Sequence, residues 1–216
     1  MDIILFLMGY CIQCLACAML CFKIWKSQSI YGLSIDTQIA FAIANVTRCI
    51  WTLDTRLIET NFAFLELILS TLVSVGCCAL CWRYQHTTTM HALPWLRVYS
   101  ITPIAAVLAF FFHPSDQWLS VQILVAFTMY LEALGLLPQL WLMKKMYDVE
   151  PITSHYVGLL VIARFLRMVF WGVLFYIGEH FLQLFLADLV HTVFTADYMY
   201  LWFRKLKSGG RLIYSI

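Results

Sequence analysis

Long apolar runs alternate with short polar turns along the whole chain of 216 residues. Seven stretches are dominated by apolar positions, at about 3–22, 36–53, 62–82, 98–113, 118–143, 152–177 and 181–203. A helix rising about 1.5 Å per residue needs runs near ~20 residues to cross ~30 Å of hydrocarbon. A transmembrane β-barrel shows ~10-residue segments of strict alternation instead. The pattern therefore predicts an all-α membrane protein of seven spans. Its membrane domain covers 1–203 and its polar tail covers 204–216. The first run is expected to be a permanent span: Met1-Asp2 brings no basic stretch, and the run reaches Phe22 without a small-residue cleavage site.

Composition sharpens this picture. The chain is 62% hydrophobic and only 12% charged, with a mean hydropathy of +0.82. A soluble domain carries about a quarter charged residues, so the partner of this surface is a lipid bilayer. The net charge of +2 is spread over short loops, which excludes a nucleic-acid footprint.

The basic residues also predict orientation. Lys23, Lys26, Arg83, Arg97, Lys144, Lys145, Arg204, Lys205, Lys207 and Arg211 fall on one side of a seven-span chain. Arg56 alone falls on the other, beside Asp2, Asp54, Glu59, Asp116 and Glu179. By the positive-inside rule the tail is cytosolic and the N-terminus lumenal.

A repeat is visible in the same turns. Lys26 precedes Ser34 and Arg48 with the spacing by which Lys145 precedes Thr153 and Arg167, a shift of 119 residues. Each half reads as a span, a basic turn, a Ser/Thr helix cap and a span bearing an arginine. Two three-helix repeats joined by a linker helix, as in PQ-loop and SWEET proteins, account for this. Between Leu131 and Tyr156 the chain also passes a Pro-Gln pair, Pro138-Gln139, which predicts a kinked fifth span.

Charge inside the spans supplies the candidate site. Arg48, Arg164, Arg167, Glu132 and Asp188 lie well within apolar runs, and Glu66 and Asp197 lie nearer the ends. Each such charge costs at least ~2.5 kcal/mol in hydrocarbon, so it faces a cavity or another charge. Arg164 and Arg167 share a helical face. One reading is a lumen-open cavity with a cationic floor, which would grip a carboxylate in bidentate fashion. The other is internal pairing of Arg48 or Arg164 with Glu132.

The remaining signals exclude more than they offer. Cys11, Cys14, Cys17 and Cys21 have iron–sulfur-like spacing but mark one face of a helix. Asn45-Val46-Thr47 lies inside a span, out of reach of glycosylation. His113 and His180 fall at the lumenal rim, where a histidine can report pH. No nucleophile–base pair, metal-ligand spacing or phosphate loop is present, so neither an enzyme nor a cofactor is expected.

The wording of the turns carries a resemblance. KIWKSQSIYGLSIDTQ followed by Arg48, then LEALGLLPQL, then ITSHY, resembles the KDEL receptors, the ER lumen protein-retaining receptors. The resemblance implies a receptor that binds KDEL-like C-termini of soluble ER proteins in the acidic Golgi. Such a receptor returns them with coat-protein-I vesicles and releases them in the neutral ER. It further implies that Arg48 and Arg164 match carboxylate-gripping arginines, Glu132 a proton-coupled glutamate and Trp171 a tryptophan of the site. Asp197 matches an aspartate associated with retrieval, and Lys205 and Lys207 resemble coat-binding lysines of the tail.

The departures from the family lie at the site. Gln13 stands for a first-span histidine, and Leu5-Phe6 for a first-span arginine. Cys49 and Trp51 replace a Tyr and an Asp, Gln122 and Val125 a Glu and a Trp, Ala163 a Tyr, and Leu174 an arginine. Arg167 takes a tyrosine position two turns from Leu174 and is placed to substitute for the missing guanidinium. A divergent receptor with altered specificity or pH response is the first reading. A transporter of a small anionic or zwitterionic solute is the alternative, and a ligand-free relative the third.

Overall fold

The computed structural model of the chain describes residues 2–55, 61–88, 90, 92–114, 120–146, 148–178, 182–208 and 212–213. Its helices in order are α1 (Asp2–Ser27), α2 (Ile35–Thr55), α3 (Asn61–Arg83), α4 (Val98–Phe111), α5 (Gln122–Gly135), α6 (Leu137–Lys145), α7 (Pro151–Ile177) and α8 (Leu182–Ser208). Strand content among the described residues is one antiparallel pair, β1 (Asp148–Val149) on β2 (Leu212–Ile213). Arg56, Glu59, Asp116, Glu179, His180 and Arg211 lie outside the described residues, as do the side chains of Asp2, Asp54, Lys205 and Lys207.

Among the described residues, four helical rods are long and apolar enough to cross a membrane: Ile4–Ser27, Asn61–Arg83, Gln122–Lys145 and Pro151–Ile177. The third of these is α5 and α6 running on through a break at Leu136. Pro138 lacks the N–H that would continue the ladder, so the rod restarts there, with Leu140 donating to the Leu136 carbonyl at 3.1 Å. Large apolar side chains cover the outside of the bundle, among them Leu15, Phe22, Leu65, Leu72, Phe111 and Val193. Such an apolar exterior around a polar interior suits lipid as the solvent. This is a helical membrane protein.

Several boundaries differ from the sequence reading, each for a local reason. α1 runs past Phe22 to Ser27, and Lys23 is buried inside it, paired with Glu150 at 2.6 Å. That pair draws the lysine back from the loop. Ser34 caps α2 as its spacing suggests, its hydroxyl accepting the Thr37 N–H at 3.3 Å. Thr153 does not cap α7. The helix starts two residues earlier at Pro151, whose fixed φ suits the first turn, with Glu150 at the cap position. α8 continues past residue 203 to Ser208, so Lys205 and Lys207 fall on its last turns.

The core sits where α1, α3, α7 and α8 meet, around Leu20, Ile24, Cys77, Cys81, Tyr156 and Trp202. The Pro-Gln pair fixes one end of it. Gln139 is wholly buried; its amide oxygen accepts the Ser34 N–H at 2.7 Å and its nitrogen donates to the Gly32 carbonyl at 2.9 Å. Gly32 sits at φ +76°, a left-handed conformation that glycine adopts at no steric cost. The chain can therefore turn there and offer both groups to one side chain.

Candidate functional site

Six ionisable side chains from five helices converge in the interior. α2 brings Arg48, α3 Glu66, α5 Glu132, α7 Arg164 and Arg167, and α8 Asp188; each is at most 6% exposed. Arg48 meets Glu66 through two hydrogen bonds, 3.3 and 2.6 Å. Glu132 is shared: one oxygen accepts from the Gln13 amide at 3.2 Å, the other from Arg164 at 3.0 Å and Arg167 at 2.7 Å. Arg164 reaches further, donating to Asp188 at 2.5 Å and to the Met129 carbonyl at 3.4 Å. Three guanidiniums thus face three carboxylates.

Tyr10 joins the two halves of this network. Its ring is 1% exposed and lies under both Arg48, 3.4 Å from the ring centre, and Arg167, 4.4 Å away. A cation over an aromatic face is attracted by the ring quadrupole, more so when water is excluded. Gly9 makes the approach possible. A methyl group there would sit 2.9 Å from the Ala163 carbonyl and from Arg167 Cγ, so only a bare Cα lets α1 pack this closely on α7.

Toward the α7–α8 loop, an aromatic cluster covers the charges. Phe6 packs on Phe170 with centroids 4.9 Å apart and edge-on against Trp171 at 6.0 Å. Leu5, Leu174 and Phe185 pack around them. Phe6 therefore puts an aromatic ring where the resemblance leads one to look for a guanidinium. Some polar atoms in the interior have no hydrogen-bond partner among the described residues, notably Asp188 Oδ2, Gln13 Oε1, Nε and one terminal nitrogen of Arg167, and both ring nitrogens of His191.

Of the residues selected from sequence, the structure gathers Arg48, Arg164, Arg167 and Glu132, with Trp171 in the aromatic cluster beside them. Arg48 takes Glu66 as its carboxylate partner, and the Glu132 pairing falls to Arg164 and Arg167. Asp197 does not join: it is exposed on α8, about 13 Å further along the axis than Asp188. Sequence reasoning did not assign Tyr10 to the site. Its signal is the 6–10–13 spacing of Phe6, Tyr10 and Gln13, which puts them on one helical face.

Comparison with known proteins places the chain in a family. A model of the family described as ER lumen protein retaining receptor matches residues 29–174. The ER lumen protein-retaining receptor of Drosophila melanogaster is 30% identical over 198 residues, covering 91% of this chain and 92% of that one. Receptor 3 of Mus musculus is 27% identical over 200 residues (92% and 91%), and receptor 2 of Danio rerio 28% over 203 residues (91% and 92%).

Proposed function

The chain belongs to the ER lumen protein retaining receptor family, and on that premise we propose that it retrieves soluble proteins by their KDEL-like C-termini. It is a receptor, not an enzyme. The observation that carries the reading is the buried convergence of three guanidiniums in one network, Arg164 and Arg167 on Glu132 and Arg48 linked to Arg167 through the Tyr10 ring. Guanidinium forks match a terminal carboxylate in geometry and charge. Trp171 supplies an apolar wall on the side from which a peptide enters, and Glu132 couples closure to a proton. The relatives reported above carry receptor names, which leaves the solute-transporter alternative without support.

The proposed architecture is seven spans, built as two three-helix units with α4 as the linker. Exchanging α1 with α5–α6, α2 with α7 and α3 with α8 maps the α1–α3, α2–α3 and α1–α7 contacts onto α5–α8, α7–α8 and α2–α5. The Gln13–Glu132 hydrogen bond joins positions 119 apart, the same shift that relates Arg48 to Arg167. The N-terminus is lumenal, 1–203 form the membrane domain, and 204–216 form a cytosolic tail. Lys205 and Lys207 there engage coat-protein-I, with Asp197 serving retrieval from within α8.

Binding of short peptides to purified protein tests this, at mildly acidic and at neutral pH, with free and amidated C-termini. The expected result is acid-favoured binding that amidation abolishes and Arg48→Ala removes. Equal binding of the amide, or retained affinity in Arg48→Ala, overturns the proposed clamp.

A further inference from the structure

Asp188, like Glu66, is a member of the cluster that the retrieval reading does not use. It is fully buried, and its carboxylate accepts from Arg164 at 2.5 Å. The other oxygen, Oδ2, has no hydrogen-bond partner among the described residues. Glu132, by contrast, is held by Gln13, Arg164 and Arg167 together. Of the two acids on Arg164, Asp188 is thus tethered by a single side chain and is the one that can be exchanged.

Its depth matters as much as its bonding. α7 ends at Ile177 and α8 starts at Leu182, so the two helix ends lie on one side of the bundle. Counting ~1.5 Å per residue, Asp188 lies ~9 Å below that end and the Arg164 backbone ~20 Å below it. The long arginine side chain climbs toward the loop side to meet the aspartate. Along α7 and α8, Asp188 therefore lies between the loop side and the Arg164 backbone.

We propose that Asp188 is a resident carboxylate seated on Arg164 in the place of a ligand's carboxylate, so that it sets the affinity and the carboxylate selectivity of the site. The proposal rests on the retrieval reading for its peptide ligand, but the anion seat does not. With three guanidiniums already matched by three carboxylates, an added anion gains little unless one resident acid leaves. An incoming terminal carboxylate replaces Asp188 on Arg164, and Asp188 must find other partners. Removing the Asp188 charge opens an acetate-sized anion seat.

The test uses the full chain in detergent or nanodiscs, wild type against Asp188→Ala and Asp188→Asn. The first probe is acetate, exchanged for chloride at constant ionic strength, with thermal stability as the readout. Acetate is expected to raise the melting temperature of Asp188→Ala saturably and to leave wild type unmoved. The second probe is a KDEL-type peptide with a free or an amidated C-terminus. Both variants are expected to bind the free carboxylate about tenfold or more tighter than wild type does, as a charge-assisted contact regained implies, with the amide unchanged.

An unchanged ratio of carboxylate to amide affinity in Asp188→Asn overturns the proposal while leaving the receptor reading in place. Failure of acetate to stabilise folded Asp188→Ala also overturns it. Stabilisation by acetate without peptide binding to any of the three proteins upholds the anion seat and overturns the retrieval reading. If Asp188→Ala does not fold, the ratio measured on Asp188→Asn decides.

Discussion

Glu132 is the residue on which the cluster depends most, because one of its oxygens serves both Arg164 and Arg167. Replacing one partner of a buried ion pair leaves the other uncompensated, at a cost of roughly 3–5 kcal/mol. Glu132→Gln is expected to lower thermal stability on that scale and to alter the pH profile of peptide binding. An unaltered profile would move the proton-coupling role to another group. The Arg48–Glu66 pair should behave differently when both ends are changed. Arg48→Met and Glu66→Leu are each expected to destabilise by about 3–5 kcal/mol, while the double variant recovers most of the loss, because an apolar pair often replaces a buried ion pair at little cost. A double-mutant cycle of unfolding free energies checks this.

At the scale of the element, the most instructive contact is Gln139 beneath the α1–α2 turn. Gln139→Leu removes the only side chain seen to satisfy both the Ser34 N–H and the Gly32 carbonyl among the described residues. A buried polar group left unpaired costs ~1–3 kcal/mol. The variant is expected to lose stability and to speed hydrogen exchange at Ser34, while exchange in the middle of α3 stays slow. The all-helical character was legible because apolar runs separated by turn residues mark helices out along the chain. The Ser34 cap and the break near Pro138 were legible too, since each has a local chemical cause. α7 starts ahead of Thr153, its expected Ser/Thr cap, because Pro151 fits the first turn and moves the cap to Glu150. Asp188 and Glu66 could be seen as buried charges, but not which arginine each would meet. That choice is set by how α3 and α8 rotate against their neighbours, and no spacing within one helix encodes it.

For the whole molecule, charge asymmetry and the tail make the prediction. A reporter fused after the tail is expected to face the cytosol, as selective permeabilisation would reveal. Lys205→Ala with Lys207→Ala is expected to leave the protein in the Golgi while peptide binding by the purified protein is unchanged. Cell imaging beside in-vitro binding separates those two effects. The tail is also tied to the bundle: β2 pairs with β1, in the turn between α6 and α7. The charged centre follows from the same economy of scale. Too little polar surface exists to solvate these ions separately, so they gather and neutralise one another.

Tyr10 has a consequence for how this sequence can change over time. One ring lies under Arg48 from the first half of the chain and under Arg167 from the second. The two arginines are therefore not free to drift separately: a substitution at either alters the seat of the other through a first-half side chain that both share. In a library randomised at 10, 48 and 167 and selected for surface-independent function such as retrieval, tolerated residues at 48 and 167 should be statistically dependent while Tyr10 is kept. The dependence should vanish once that ring is replaced by an aliphatic side chain.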